Sequence, residues 1–333
     1  GFLNFSTNDT EALKIDASGN IIIASTGGTL STTTAGTDNV RIGINAGNSI
    51  AASGGTIAGA NNVTIGTNAG TAITTGPGNV YIGSSAGLGQ VENGYNVGIG
   101  TSTLAQNTGN ANTAVGHAAL NNNTAAGNIA MGFTAGLYVT SATAQTLIGY
   151  EAGLGASGAP TTGTANTSVG YHAGRFVQGA ATQNTFIGAY AGDAINVCQD
   201  NTALGYAALT SEVGGQNNTA IGSLALSAQS SASGNIYNTA VGSYAGQNVS
   251  TGTSSTFIGS RAGVGNASAK TTGAYNTVVG TSAGASIEGI SNRNTFIGGA
   301  SGDAVTTGSK NTILGRYNGN QGSLDIRTSS NNI

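Results

Sequence analysis

The segment Asn39–Gly43 (NVRIG) carries the pattern that decides the fold, and the pattern occurs for the last time at Asn311–Gly315 (NTILG). It reads Asn, a β-branched residue, a variable residue, an aliphatic residue and Gly, and it occurs sixteen times. The closing glycines are Gly43, Gly66, Gly83, Gly100, Gly116, Gly132, Gly149, Gly170, Gly188, Gly205, Gly222, Gly242, Gly259, Gly280, Gly298 and Gly315. Their mean spacing is about 18 residues. A period of this size is typical of a solenoid, in which each repeat forms one coil stacked on the last.

Counting positions from the closing glycine separates the regular residues from the variable one. Position −3 is β-branched in every copy, with eleven Thr, four Val and one Ile, and position −1 is always apolar. Residues two apart lie on the same face of a strand. Position −2 varies freely, from Arg41 and Gly98 to Phe186. We therefore expect positions −3 and −1 to face the interior of each coil and position −2 to face outward.

Several residues at position −2 are nevertheless large and apolar, namely Leu147, Phe186, Phe257 and Phe296. On an outer face they would form an exposed apolar surface of the kind that marks an interface. Leu, Ile, Val and Phe together are also scarce, so a lone thin rod would be only marginally stable. Both observations predict that a neighbouring chain covers the outer face.

The other regular positions describe turns and ladders. The invariant Gly indicates a positive φ or a backbone packed too closely for a Cβ atom. Position −4 is Asn in fourteen copies, with Gln145 and Ser255 in the other two, and stacked Asn side chains form hydrogen-bonded ladders. Position +4 is Gly in twelve copies, and Leu replaces it in four: Leu104, Leu120, Leu209 and Leu226. The prediction is an all-β solenoid of about 16 coils, with two short strands and two turns in each.

The composition excludes several classes of protein. Charged residues are 6% of the chain and the net charge is −3, so there is no basic patch for nucleic acid. The apolar runs are too short for a transmembrane helix. The frequent Gly and the two-residue period argue against helices in general.

Residues that could support catalysis or bind metals are scattered. The acidic residues do not recur with the repeat, and Asp193 and Asp303 lie in coils six intervals apart, whereas a glycosidase needs two neighbouring carboxylates. His117 and His172 lie in different coils, and we interpret both as surface residues rather than metal ligands. Cys198 is the single cysteine; we expect a small packed side chain, with an interchain contact as the alternative. We predict no enzyme activity, no cofactor and no metal.

Tyrosines follow several closing glycines. Tyr150, Tyr171 and Tyr206 come directly after theirs. Exposed tyrosines along a rod could stack on sugars, and these three are the candidate receptor-contact residues. The alternative is that they pack over the turn or at a subunit interface.

The sequence divides into three regions. Residues 1–37 lack the signature and form an N-terminal cap or connector, in which Ala12–Ile23 reads as strand, turn and strand. Residues 38–319 form the rod. Residues 320–333 form a C-terminal connector, and we expect a cleaved product or a fragment of a longer chain. The longest intervals, after Gly43, Gly149, Gly222 and Gly259, predict surface loops where partners could bind.

The repeat resembles the left-handed parallel β-roll of trimeric autotransporter adhesin heads of the YadA type. Asn112–Gly116 (NTAVG), Asn218–Gly222 (NTAIG) and Asn238–Gly242 (NTAVG) are the copies most similar to the motif of that family. The ends look like bacteriophage tail fibres: Leu13–Ile22 (LKIDASGNII) is similar to a common tail-fibre segment, and Gly315–Ile333 looks like the stretch before a C-terminal chaperone domain. The resemblance implies a left-handed roll, a homotrimer and assembly aided by a chaperone that is later cleaved off.

Together these features predict a structural and adhesive fibre segment. The leading hypothesis is a phage tail fibre on the virion, with a host surface glycan or outer-membrane receptor and adjoining fibre or tail proteins as partners. A bacterial cell-surface autotransporter adhesin head is the alternative. A remote alternative is an ice-binding solenoid, because Thr recurs at position −3. Ice binders need an outward Thr array, and we expect this Thr to face inward.

Overall fold

The structure is a computed structural model, and it describes residues 6–7, 10–11, 14–15, 21–22, 38–50, 59–231, 234–321 and 324–332. One parallel sheet of sixteen strands runs through it, with one three-residue strand per signature. The strands are Val40–Ile42, Val63–Ile65, Val80–Ile82, Val97–Ile99, Thr113–Val115, Ile129–Met131, Thr146–Ile148, Thr167–Val169, Thr185–Ile187, Thr202–Leu204, Thr219–Ile221, Thr239–Val241, Thr256–Ile258, Thr277–Val279, Thr295–Ile297 and Thr312–Leu314. Each pairs in register with the strands of the coils before and after it, as Thr185 does with Thr202. The all-β parallel solenoid, of about 15 turns, is confirmed.

The expected inside and outside of the sheet are reversed. The variable residue at position −2 is the buried one, and Phe186, Phe257 and Phe296 are fully enclosed. The regular residues at positions −3 and −1 face outward, and Ile258 at position −1 is 41% exposed. The prediction that positions −3 and −1 fill the core was therefore wrong. The large residues at position −2 form the core of the chain itself, so they say nothing about a neighbouring chain.

Volume matching explains why the buried position varies. A large side chain at position −2 lies over position +4 of the same coil, and a Cβ atom on Gly192 would be 2.5 Å from the Phe186 ring. In the four coils with Leu at position +4, position −2 is small instead: Gly98, Ala114, Ala203 and Ala220. Leu209 shows the cost of this exchange, because its φ of 52° is unfavourable for a residue with a Cβ atom. Most coils thus fill one interior space from either of two positions, and where both are small, as at Ala130 and Gly136, Leu120 and Leu147 of the neighbouring coils reach into it.

Close stacking explains the invariant glycine. The φ of Gly188 is 129°, and a Cβ atom there would lie 2.5 Å from the carbonyl oxygen of Gly205 in the next coil. The same obstruction recurs from coil to coil, as at Gly298, where the Cβ atom would meet the Gly315 oxygen at 2.7 Å. The glycine is therefore required both by its positive φ and by the lack of space for a Cβ atom, the two reasons expected from the sequence.

The Asn ladder was predicted correctly. The backbone N–H of Asn201 donates to Oδ1 of Asn184 (3.1 Å), and Asn201 Nδ2 donates to the Gly215 carbonyl (3.0 Å). Gln145 joins the ladder through its N–H, which donates to Asn128 Oδ1 (2.9 Å), and Ser255 passes it on through its Oγ, which accepts from Asn276 N (3.1 Å). These side chains satisfy the buried backbone groups at one corner of most coils.

The return path of each coil contains little regular strand. Gly215–Gln216 pairs in parallel with Gly234–Asn235, and single bridges such as Val139 with Thr161 occur elsewhere. Backbone hydrogen bonds still join the coils, as from Gly192 N to Ala208 O (3.0 Å). The predicted second strand is therefore present only locally.

A longer repeat runs through the rod. Residues 132–204 align with 242–314 at a constant offset of 110 residues, so that Gly149 matches Gly259 and Phe186 matches Phe296. The two pairs of Leu coils precede these stretches. Naming each coil by its signature glycine, the first unit comprises the six coils from Gly100 to Gly188, and the second unit comprises those from Gly205 to Gly298. This longer order is not visible when single repeats are compared with one another.

Antiparallel pairs precede and follow the sheet in the sequence: Ser6–Thr7 with Thr10–Glu11, Lys14–Ile15 with Ile21–Ile22, and Asn320–Gln321 with Leu324–Asp325. The second pair matches the two strands predicted within Ala12–Ile23, and the predicted turn between them lies outside the described residues. At the C-terminal end, Thr312 N donates to Asn332 O (2.7 Å), and Asn332 Nδ2 donates to Asn311 Oδ1 (2.8 Å). Asn332 thus continues the Asn ladder.

Candidate binding surfaces

The outer stripe consists of positions −3 and −1 of all sixteen strands. Its residues are Thr, Val, Ile, Leu and one Met, without any charged side chain. At position −1, Ile187 is 38% exposed and Leu204 is 42% exposed. Because the strands pair in register, these side chains form two continuous rows along the sheet. A continuous exposed apolar surface is unusual on a soluble monomer and is typical of an interaction surface.

The orientation of Thr changes one argument made from the sequence. From Thr146 to Thr312, ten successive coils carry Thr at position −3, and this position is half-exposed or exposed, as at Thr277 and Thr312. The expectation that this Thr faces inward was therefore wrong, and it no longer argues against an ice-binding surface.

An aromatic ladder lies beside the outer stripe at position +1 of four successive coils. His117, Phe133, Tyr150 and Tyr171 stack face to face, with ring centroids 5.1, 5.3 and 5.4 Å apart. The coil spacing of about 4.8 Å places these rings near stacking distance. Both faces of the Tyr150 ring are thereby covered by neighbouring rings, so the ladder presents ring edges to solvent.

The ladder ends where the next coil carries Ala189 at position +1 and Tyr190 at position +2. The Tyr190 ring stands nearly perpendicular to Tyr171 (72°) and to Tyr206 (85°). Tyr206 is 56% exposed. The three candidate receptor tyrosines thus lie along one edge of the rod, and Tyr206 is the most open of them.

A cluster of charged residues lies next to this ladder. The Glu151 carboxylate contacts His172 Nε2 (3.2 Å) and Arg175 Nε (2.8 Å), and the His172 ring stacks on Tyr171 at 3.9 Å. His172 is only 9% exposed, so its interpretation as a surface residue was wrong. Its ion pair joins it to Glu151 of the preceding coil, and this contact was not visible from the position of His172 in the sequence.

Asp193 completes the charged cluster. Partial burial raises the pKa of its carboxyl, and the nearby His172 and Arg175 partly offset this effect. Its Oδ1 atom is buried and has no hydrogen-bond partner among the described residues. The cluster therefore contains a carboxylate that the rest of the chain only partly stabilises.

A second buried carboxylate lies inside the rod. Oε1 of Glu212 accepts hydrogen bonds from the backbone N–H groups of Val213, Gly214, Gly215 and Ser231, at 2.7 to 3.2 Å. Cys198 is buried as expected from the sequence, and burial, with the charge of Glu212, raises the pKa of its thiol to about 12. The expected packed side chain is confirmed, and the alternative of an interchain contact is not supported.

Two loops occupy equivalent places in the two units. Loop A is residues 155–163 and loop B is residues 265–273. The buried Thr161 and Thr271 anchor them, donating through Oγ1 to the carbonyls of Val177 (2.6 Å) and Ile287 (2.9 Å). Their backbones bond alike, since Thr162 N reaches Gly179 O (2.8 Å) and Thr272 N reaches Gly289 O (2.7 Å).

The tips of the loops differ although their anchors are equivalent. Ala156 bridges Ala159 across the tip of loop A. In loop B, Asn266 Oδ1 accepts from Ser268 N (2.9 Å), and its Nδ2 donates to Glu288 Oε2 (3.1 Å). The sequence predicted surface loops here, but it did not reveal the shared anchoring Thr.

Within the described ranges, no three or more His, Cys, Asp or Glu residues are grouped so that they could hold a metal ion. The same ranges contain no helix of the length and hydropathy needed to cross a membrane. No protein-family model, curated protein or solved structure matches the chain.

Proposed function

We propose that this chain is a non-catalytic fibre segment that self-associates as a homotrimer and holds binding residues for attachment to a host cell, as in a phage tail fibre on the virion. The outer stripe is the observation that carries the proposal. It is continuous over sixteen strands, free of charge and apolar along position −1, so water exclusion along its length would join parallel copies.

The energy available from the stripe is large. Fully burying one Ile or Leu side chain contributes about 1.5 to 3 kcal/mol, so covering the partly exposed residues of position −1 could contribute on the order of 10 kcal/mol per chain. Three copies around a common axis would each cover one face against two neighbours. Three copies also match the resemblance to trimeric adhesin heads and tail fibres, and they would multiply weak receptor contacts.

The test is the mass of the chain in solution. By light scattering, we expect the wild-type chain to have three times the mass of a single chain, and Ile258→Lys to raise the dissociation constant at least about tenfold because it places a charge in the stripe. Ser268→Lys, which adds the same charge in exposed loop B, is the matched control and should leave the mass unchanged. A wild-type monomer at micromolar concentration would refute the proposal.

Two alternatives predict different results. A bacterial surface adhesin would use the stripe in the same way; a signal peptide and a membrane barrel in the same gene would support it, whereas neighbouring capsid or tail genes would support the virion. An ice-binding protein is favoured by the ten outward Thr residues from Thr146 to Thr312, and it requires an uncovered stripe. Thermal hysteresis from a monomer would support ice binding, and its absence from a trimer would support the fibre.

A further inference from the structure

The loop B region forms a polar groove on the side of the rod. Its volume is about 440 Å³, which lies within the range of small-ligand sites. The residues that line it are Gly265, Asn266, Ala267, Ala285, Ser286, Glu288 and Thr306. They come from three successive coils, so only the stacked rod brings them together.

We propose that this groove binds hydroxyl groups of a carbohydrate chain and that loop A forms a second site for the same class of ligand. The inference rests on the proposed attachment function and assigns a place and a chemistry to it. The three candidate receptor tyrosines, Tyr150, Tyr171 and Tyr206, which we call the aromatic edge, are not part of either site.

The chemistry of the lining selects the ligand. Asn266, Ser286, Glu288 and Thr306 supply amide, hydroxyl and carboxylate groups, which together donate and accept hydrogen bonds with hydroxyls. Among the residues that line the groove, none is an apolar side chain larger than Ala, so an apolar ligand would gain little by burial. The charge of Glu288 disfavours anions.

The two loops share the same anchoring contacts, which loops that only connect two coils would not need. Thr161 and Thr271 make the same buried hydrogen bond, and Gly163 and Gly273 both leave no room for a Cβ atom. By contrast, the residues around the loops differ. This arrangement of a fixed frame with variable side chains is typical of binding loops on a rigid scaffold.

Loop A carries a different set of side chains at the equivalent positions. Arg175 lies 5.0 Å from the centre of the Phe176 ring, and Phe176 is 40% exposed. The ring and the Arg175 guanidinium combine an apolar face with hydrogen-bonding groups, and the polar Gln178 and Asn196 occupy the positions equivalent to Glu288 and Thr306. Loop A would therefore bind sugar units through stacking as well as hydrogen bonds, whereas loop B would use hydrogen bonds.

The spacing of the two loops should make binding depend on the length of the carbohydrate chain. They lie six coils apart, which is roughly 30 Å along the rod at about 4.8 Å per coil. A carbohydrate chain long enough to reach both loops would bind about a hundredfold more tightly than a short one, because the second contact becomes intramolecular.

The test uses the full chain on an array of immobilised neutral oligosaccharides of graded length. We expect binding that increases sharply once the chains span both loops. Glu288→Gln should weaken binding of long chains by about tenfold, and so should replacing residues 266–270 with the sequence of 156–160, while short chains still bind at loop A. Phe176→Ser should remove most of the gain from chain length. Glu92→Gln, the same change at an exposed site outside the groove, is the control.

The outcomes separate this inference from the proposed function. A trimer that binds no oligosaccharide, or one whose gain from chain length survives Glu288→Gln combined with the loop replacement, overturns the inference and leaves the fibre intact. Binding that Tyr206→Ser abolishes but the loop variants do not would also overturn it, in favour of the aromatic edge. The mass of every variant is measured alongside, so loss of assembly cannot be mistaken for loss of the site.

Discussion

The first and second units share an interior but differ along one edge. Phe186 and Phe296 fill equivalent places in the core, and Gly192 and Gly302 make room for them. At position +1, the first unit carries the aromatic ladder, whereas its partners in the second unit are Ser243, Ser260, Thr281 and other small residues. Inward residues must match the volume left by their neighbours, while the edge is free to vary. Differences in function should therefore be sought at the edge and in the loops.

Replacing a closing glycine by a residue with a Cβ atom should destabilise the rod equally in both units. Gly188→Ala and Gly298→Ala should each lower the free energy of unfolding by more than about 3 kcal/mol, because the new Cβ atom would overlap a carbonyl of the next coil. Urea unfolding followed by circular dichroism measures this. Gly289→Ala is the control, since its φ is 55° and open space surrounds it; it should cost only about 1 kcal/mol. Equal losses at Gly188 and Gly289 would contradict the explanation.

One buried polar position carries a different residue in each unit, and the residue of the second unit should make a large contribution to stability. Glu212 occupies the place that Asn107 has in the first unit. Glu212→Ala should cost about 4 kcal/mol, because several backbone N–H groups lose their acceptor inside the rod. Glu212→Gln keeps an oxygen at that place and should cost clearly less. Similar unfolding midpoints for the two variants would show that the hydrogen bonds to Glu212 contribute little.

Exchanging edge residues should make one unit resemble the other. Tyr150→Ser gives the first unit the residue that the second has at Ser260, and it should cost about 1 kcal/mol through lost ring stacking. The reverse change, Ser260→Tyr, should raise the free energy of unfolding by less than this amount, since Ser243 and Thr281 in the neighbouring coils have no ring for the new tyrosine to stack on. Urea unfolding of both variants tests this asymmetry. A gain at Ser260 equal to the loss at Tyr150 would mean that stacking is not the cause.

The smallest expected effect is the pH dependence of the charged cluster. The pKa of Asp193 is raised in the folded chain, so the folded state holds this proton more tightly than the unfolded state. The favourable contribution is present at low pH and is lost as pH rises through the folded pKa. Asp193→Asn should thus be stabilising at pH 7, by less than about 1 kcal/mol because the group is partly solvated. The difference in stability between Asp193→Asn and the wild-type chain should shrink below pH 4. Thermal unfolding of both at several pH values measures it, and a difference that does not change with pH would contradict the explanation.

The sequence predicted the architecture because the signature repeats with so little variation. The Asn ladder, the glycine corner and the all-β solenoid each followed from a residue type at a fixed position. Which face is buried did not follow. Period-two patterning shows that Thr185 and Ile187 share a face but not which face that is. We equated regularity with the core, whereas here the interior is irregular because Phe186, Ala203 and their neighbours divide one space among them.

The binding surfaces were harder to foresee. The tyrosines were noted one at a time, but stacking of Phe133, Tyr150 and Tyr171 depends on the register of successive coils. The groove beside loop B joins residues from coils that are 18 to 21 residues apart in the sequence, and each is an ordinary polar residue by itself. Comparing the sequence with itself at an offset of 110 residues would have revealed the paired loops.

Volume sharing between coils also governs how such a rod can change in length through evolution. Deleting the coil of Gly280, for example, would bring Phe257 directly against Phe296, whereas each of these residues now pairs with the smaller Val278. The six-coil unit begins and ends with compatible partners, as the junctions of Tyr81 with Gly98 and of Phe186 with Ala203 show. Recombination should therefore lengthen or shorten the rod in whole units. Each step would move the tip by roughly 30 Å and add or remove one binding loop.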